Sequence, residues 1–220
     1  MSDVPAVVAV RECFYAPQGE GSRVGEPSIF VRLAGCNLNC HFCDTDWRYG
    51  DKVPITAEGI GMLLKRVSAR PPTDPHPPRW VTLTGGEPCA APAFNELVRF
   101  LLKEGYSVSV ETNGTIWRAA LRDCHVVISP KEWWEGDKGD LDPALFGLPR
   151  YELKLVVDRE TTQMKIVELM AKYPGLTPTH GCFLQPVFED REAWQRALDI
   201  CLDWPTWRLS LQTHKWIGTR

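Results

Sequence analysis

The sequence predicts an α/β fold, a reduced, partial (β/α) barrel built on a mostly parallel sheet, and three observations lead there. Short β-branched runs alternate with amphipathic stretches along the chain, the pattern of strand and helix units around a parallel sheet. The helical stretches are fewer than a closed eightfold barrel needs. Polar motifs recur where the strand candidates stop, the end at which parallel α/β folds bind their ligands.

In chain order, strands are expected over residues 4–14, 28–33, 80–83, 107–111, 126–129, 152–157, 182–185 and 208–212, each a short apolar run bounded by turn formers. Helices are expected over residues 56–69, 93–104, 160–172 and 191–202, where apolar residues recur at helical intervals. Proline blocks regular structure over residues 70–79 (RPPTDPHPPR), which read as a surface connection. Residues 131–149, which hold Trp133 and Trp134, read equally as a lid over a site or as a plain surface loop. With neither repeat nor linker, residues 1–220 are expected to form a single domain.

The 220 residues are 44% hydrophobic, and their formal charge of -3 supplies no basic field for gripping a phosphate backbone. Nucleic acid is therefore not the expected partner. The apolar run over residues 4–10 (VPAVVAV) is too short to cross a bilayer and follows no basic segment of the signal-peptide kind. A soluble cytoplasmic protein without membrane association is expected. In a reducing compartment, eight cysteines point to metal ligands, catalysts or core residues rather than disulfides.

Cys36, Cys40 and Cys43 stand in GCNLNCHFCDT, a C-x3-C-x2-C spacing directly after the strand expected over residues 28–33. Three thiolates on one tight loop select zinc or an iron-sulfur cluster. A closed zinc site needs a fourth ligand, for which His41, Cys13, Cys89, Cys124, Cys182 and Cys201 are the candidates, and none completes a second C-x2-C knuckle. A cubane held by three thiolates instead leaves one iron open to a chelating molecule. The triplet alone leaves both metals open.

With Phe42 before its last cysteine, the triplet resembles the C-x3-C-x-aromatic-C signature of the radical S-adenosylmethionine superfamily. The resemblance implies a [4Fe-4S] cluster on Cys36, Cys40 and Cys43 whose open iron binds S-adenosyl-L-methionine. It implies reductive cleavage of that cofactor to a 5′-deoxyadenosyl radical, with Phe42 beside the adenine. Thr84, Gly85, Gly86, Glu87 and Pro88 (TGGEP) follow the strand expected over residues 80–83. A glycine pair there lets the backbone approach a ligand, or merely makes a turn; in the superfamily the element contacts the methionyl amino group. ETNG from Glu111, SPK from Ser129 and QP from Gln185 also close strand candidates, either as pocket wall or as capping turns.

Taken together, QGEG, FVRLAGC, CDT, TGGEP, ETNG, SPK and a closing LQTHKWIG are similar to the 7-carboxy-7-deazaguanine synthase family, from about residue 11 to the C-terminus. The resemblance implies a carbon-nitrogen lyase of queuosine and deazapurine biosynthesis. It converts 6-carboxy-5,6,7,8-tetrahydropterin to 7-carboxy-7-deazaguanine with loss of ammonia, through hydrogen abstraction at C6 and a ring contraction assisted by Mg2+, and regenerates S-adenosylmethionine. A homodimer and an external electron donor such as a flavodoxin are implied as well.

By the same resemblance, Phe42, Cys43, Asp44, Gly86, Glu111, Ser129, Pro130, Lys131 and Gln185 line the cofactor site, and Thr45 binds magnesium. Pro17, Gln18, Gly19, Arg32, Thr84 and the terminal Arg220 meet the pterin substrate. From the residues alone, Arg32 is either a fork for the carboxylate of a small anionic heterocycle or a structural ion-pair partner. Thr45 is either a hard oxygen ligand or a loop cap, and Asp44 contributes by side chain or by backbone only. His76, His125 and His180 lack a spacing partner and read as local hydrogen-bonding groups; Trp47 is the tryptophan nearest the chemistry. No catalytic side chain is expected beyond the cofactor and metal ligands. Two other readings fit parts of the sequence: a glycyl-radical activating enzyme, against which QGEG and CDT argue, and a non-enzymatic zinc-binding interaction module, which fits the triplet alone.

Overall fold

Side chains along the parallel strands alternate between apolar and polar, and that period of two divides the molecule into an apolar layer beneath the helices and a polar interior. The computed structural model describes residues 7–45, 53–68 and 78–219. Strands β1 (Val7–Pro17), β2 (Pro27–Leu33), β3 (Val53–Thr56), β4 (Trp80–Gly85), β5 (Ser107–Thr112), β6 (His125–Ile128), β7 (Tyr151–Val157), β8 (Cys182–Pro186) and β9 (Trp207–Leu209) form one sheet. Their order is β3-β1-β2-β4-β5-β6-β7-β8-β9. Neighbours from β2 to β9 are parallel, whereas β1 runs antiparallel to both β2 and β3. With β3 and β9 as edges among the described residues, this is the partial, mostly parallel barrel the sequence predicts.

Ile29, Val31 and Leu33 on β2, Val81 and Leu83 on β4, Val108 and Val110 on β5, and Leu153, Leu155 and Val157 on β7 belong to one buried core. Between them stand Ser28 and Arg32, Thr82 and Thr84, Ser109 and Glu111, and Glu152 and Lys154, which face the other way. Helices α1 (Ala57–Val67), α2 (Phe94–Lys103), α3 (Glu132–Glu135), α4 (Gln163–Lys172), α5 (Arg191–Asp203) and α6 (Thr213–Trp216) follow the strands. On α2, Phe94, Leu97, Val98 and Leu101 are buried at helical spacing, and full burial of each such side chain stabilises by roughly 1.5–3 kcal/mol.

Caps explain two of the shifts from the expected boundaries. Thr56 accepts the Gly59 amide at 3.2 Å, so α1 starts one residue later than the periodicity suggests. Thr162 accepts from Lys165 in the same way, and α4 begins at Gln163 rather than residue 160. Strand β3 was not among the expected strands; pairing with Val7–Val10 of β1 draws VPIT into the sheet. Strand β9 ends at Leu209, and residues 210–212 turn away to start α6. Residues 131–149 are more regular than expected, forming α3 and the 3-10 turns Gly136–Gly139 and Pro143–Gly147. Trp47, His76, Arg220 and most of the proline-rich stretch lie outside the described residues. Among the described residues, no helix is long and apolar enough to cross a membrane.

Candidate active site

The polar strand faces and the loops at their C-terminal ends enclose a cavity of about 820 Å3. Arg32 of β2, Thr84 of β4, Glu111 of β5, Lys154 of β7 and Gln185 of β8 all point into it. Parallel strands deliver their C-terminal ends to one mouth, so residues far apart in sequence meet there.

Cys36, Cys40 and Cys43 line this cavity, and all are free thiols. Burial raises the pKa of Cys36 and pushes Cys40 up to about 12, although the Lys131 ammonium opposes the shift at Cys40. Such thiols keep their protons until a bound metal displaces them. Among the described residues, no three His, Cys, Asp or Glu side chains could hold one metal ion. Cys36, Cys40 and Cys43 all border the one cavity, a set of three soft donors that suits three corners of a cubane and leaves a closed tetrahedral zinc one ligand short.

The TGGEP turn braces this loop. Gly85 has φ of 129°, and a methyl group on it would overlap the Leu33 backbone; on Gly86 it would overlap the Gly35 carbonyl. Only glycine permits the approach. The Gly86 amide donates to the Leu33 carbonyl at 3.1 Å and the Glu87 amide to that of Gly35 at 2.8 Å, directly before the first cysteine. Glu87, 1% exposed, accepts from the amides of Asn113 (2.7 Å) and Cys89 (2.8 Å) and from the Thr112 hydroxyl (2.8 Å). Burial raises its pKa in spite of these donors. Its carboxyl ties the end of β4 to the end of β5.

Around the cavity the polar groups hold one another. Glu111 accepts from Gln18 Nε2 and from the Thr84 hydroxyl, each at 3.0 Å. Gln18 Oε1 accepts the amides of Gly19 (2.8 Å) and Glu20 (3.2 Å). Glu20 is ion-paired with Lys154 and accepts from Gln212 at 2.9 Å and Gln185 at 3.3 Å. Burial alone would raise the Glu20 pKa, but the Lys154 charge and these hydrogen bonds hold it below the usual carboxylate range. Burial, and then repulsion from Lys154, lower Lys131 to about 8, where its ammonium donates to the Ser129 carbonyl (2.7 Å) and hydroxyl (2.5 Å). Helix α6 closes the ring: the Thr213 amide donates to the Gly19 carbonyl at 3.0 Å, and Lys215 donates to Asp44 at 2.5 Å.

Arg32 is a structural ion-pair partner, one of its two sequence readings. Its Nε donates to Glu12 Oε1 at 2.6 Å, its Nη1 reaches the Thr45 hydroxyl at 3.4 Å, and its guanidinium lies 5.9 Å from the Phe14 ring, which stacks on Phe30. It is an ion-pair partner and also part of the cavity wall.

Of the residues singled out from sequence, Pro17, Gln18, Gly19, Arg32, the three cysteines, Phe42, Asp44, Thr45, Thr84, Gly86, Glu111, Ser129, Lys131 and Gln185 border the one cavity. Pro130 is buried beside it without lining it. His125 bonds locally, its Nε2 lying 2.6 Å from Glu152. Sequence reasoning gave no site role to Glu12, Glu20, Lys154, Gln212, His214 or Lys215, all of which line the cavity, although QGEG holds Glu20 and LQTHKWIG holds Gln212, His214 and Lys215. Lys154 left a signal: a lysine inside the apolar run YELKLVV has no place on a buried strand unless it is paired.

The radical SAM superfamily profile matches residues 30–128. A 7-carboxy-7-deazaguanine synthase of Aquifex aeolicus is 34% identical over 201 residues, 88% of this chain and 84% of that protein. One of Bradyrhizobium diazoefficiens is 35% identical over 224 residues, 96% of this chain and 99% of that protein. The crystal structure of QueE from Escherichia coli superimposes with a TM-score of 0.76 at 28% identity, covering 93% of either chain.

Proposed function

Because the chain belongs to the 7-carboxy-7-deazaguanine synthase family of the radical SAM superfamily, we propose that it converts 6-carboxy-5,6,7,8-tetrahydropterin to 7-carboxy-7-deazaguanine with release of ammonia. It is a radical SAM lyase of queuosine biosynthesis. One observation carries the site assignment: the three-cysteine loop, the turn that braces it and the Arg32 guanidinium all border one cavity. At about 820 Å3, it lies toward the upper end of the size range of ligand pockets.

Cys36, Cys40 and Cys43 would hold the [4Fe-4S] cluster, with Phe42, Asp44, Gly86, Glu111, Ser129, Pro130, Lys131 and Gln185 around S-adenosyl-L-methionine. When bound, these groups supply a carbon-centred radical that removes hydrogen from the substrate. Arg32 receives the substrate carboxylate on its Nη side, because Glu12 already engages Nε and fixes the plane of the fork. Thr45, 3.4 Å from Arg32 Nη1, offers one hard oxygen to Mg2+, with substrate oxygens and water completing the shell. Thr45 and Arg32 would thereby hold the same end of the substrate. Pro17, Gln18, Gly19, Thr84 and Arg220 complete the substrate contacts, and the Glu20–Lys154 pair keeps both a donor and an acceptor in the wall.

The same family reading supplies a single domain over residues 1–220, a homodimer, an external electron donor such as a flavodoxin, and a cytoplasmic location. The deciding experiment is an anaerobic assay with reconstituted cluster, S-adenosylmethionine, Mg2+, reductant and the tetrahydropterin, with product identified by mass. The expected result is 7-carboxy-7-deazaguanine and equimolar ammonia. No such product from protein with a full cluster content overturns the assignment.

A further inference from the structure

Phe42 stands between His41 and Cys43, both exposed, on the loop that carries the three cysteines. A phenylalanine there would have several open rotamers. It is instead held by two rings: the Trp134 ring lies 4.3 Å from the Phe42 ring, tilted by 54°, and the exposed His41 ring meets it edge-on at 5.3 Å. Phe42 lines the cavity and Trp134 does not, so the indole meets the phenyl ring from outside the site.

Trp134 is itself held. Its indole N–H donates to Asp158 Oδ2 at 3.3 Å, just beyond the end of β7, and its backbone amide closes onto the Lys131 carbonyl at 3.1 Å. Trp133 packs on its edge at 5.6 Å between centroids. The helix that carries both is rooted by Glu132, which accepts from the Tyr173 hydroxyl at 2.7 Å at the foot of α4. A chain of contacts thus runs from the sheet, through Asp158 and Trp134, to the plane of Phe42.

We propose that Trp134 is a positioning residue for the cofactor: by fixing the plane of Phe42 from behind, it sets the surface against which the adenine of S-adenosylmethionine rests. The proposal rests on the reading that Phe42 contacts the adenine. It also gives the segment over residues 131–139 a function, as an outer brace of the cluster loop rather than a lid across the cavity mouth.

The test is equilibrium dialysis of S-adenosylmethionine, without reductant, against the anaerobically reconstituted holoprotein. Trp134→Ala is expected to weaken binding roughly three- to tenfold, the scale of one lost aromatic pair, at unchanged iron content. Trp134→Phe, which restores a ring, is expected to return affinity to within about twofold of the parent. Phe42→Ala should also weaken binding, and adding Trp134→Ala to it should cause no further loss, since the indole acts only through the phenyl ring. Unchanged affinity in Trp134→Ala beside a weakened Phe42→Ala overturns the proposal, as do additive losses in the double variant. Unchanged affinity in Phe42→Ala overturns the adenine reading itself, and the proposal with it. Should Trp134→Ala lose iron or fold poorly, Trp134→Leu decides: weakened binding supports the brace, and parental binding overturns it.

Discussion

Arg32 meets a carboxylate, a hydroxyl and an aromatic face at once, and its position on the inward side of β2 gives those contacts a purpose. Removing it as Arg32→Ala should raise the KM for the tetrahydropterin roughly ten- to hundredfold, the scale of a lost charge-assisted pair, while leaving S-adenosylmethionine affinity near parental. Steady-state kinetics with a parallel dialysis measurement checks this, and an unaltered KM would return the residue to a purely structural role. Glu152 is the opposite kind of charged group. It is 1% exposed, lies 2.6 Å from His125 Nε2, and accepts from the Ser22 hydroxyl at 2.5 Å and amide at 3.1 Å. Burial by itself would raise its pKa, yet the His125 and Ser22 contacts together hold it below the ordinary 4.5. A depressed carboxylate contributes stability that is fully present above the unfolded pKa and fades as pH falls through the folded one. Glu152→Gln should therefore cost roughly 1–3 kcal/mol at pH 7 and flatten the loss of stability on acidification below about pH 4.5, as read by denaturant melts across pH. Equal acid sensitivity in parent and variant would show that other groups govern it.

At the scale of elements, the decisive feature is how the end of β4 is pressed against the root of the cysteine loop. A methyl group on Gly86 would occupy the space of the Gly35 carbonyl, and backbone on both sides leaves nothing flexible to yield. Gly86→Ala should displace the loop and sharply reduce cluster incorporation, with most of the visible absorbance and bound iron lost, whereas far-UV circular dichroism stays close to parental. Full iron content in that variant would mean that the glycine pair is only a turn. Much of this layout was legible beforehand, because alternation and turn residues are local properties: the strands before TGGEP, ETNG and SPK lie where the sequence places them. The antiparallel direction of β1 was not legible, since VVAVRECFYAP reads the same beside either partner. Strand β3 was hidden for a related reason, its four residues being too few to show a period before the helix cap at Thr56.

At the scale of the whole molecule, one buried core runs from Val8 and Val10 on β1 through the sheet to Trp207 on β9. A single continuous core predicts a single cooperative transition. The apo protein should unfold by denaturant with coincident curves from far-UV circular dichroism and tryptophan fluorescence; two separated midpoints would divide residues 1–220 into more than one folding unit. The sequence by itself determined the motifs on which the family resemblance rests: three cysteines within eight positions of one another, an aromatic residue inside the triplet, and polar motifs at strand ends are short-range facts, readable without knowing what lies opposite. Only the tertiary structure decided which of these groups support each other. Glu20 meets Lys154 across 134 positions and Gln18 meets Glu111 across 93, while Trp134 reaches Phe42 because the loop after β6 folds back over the loop after β2. Such partners are chosen by strand order and by the mouth that all parallel strands share, and no local pattern encodes that order.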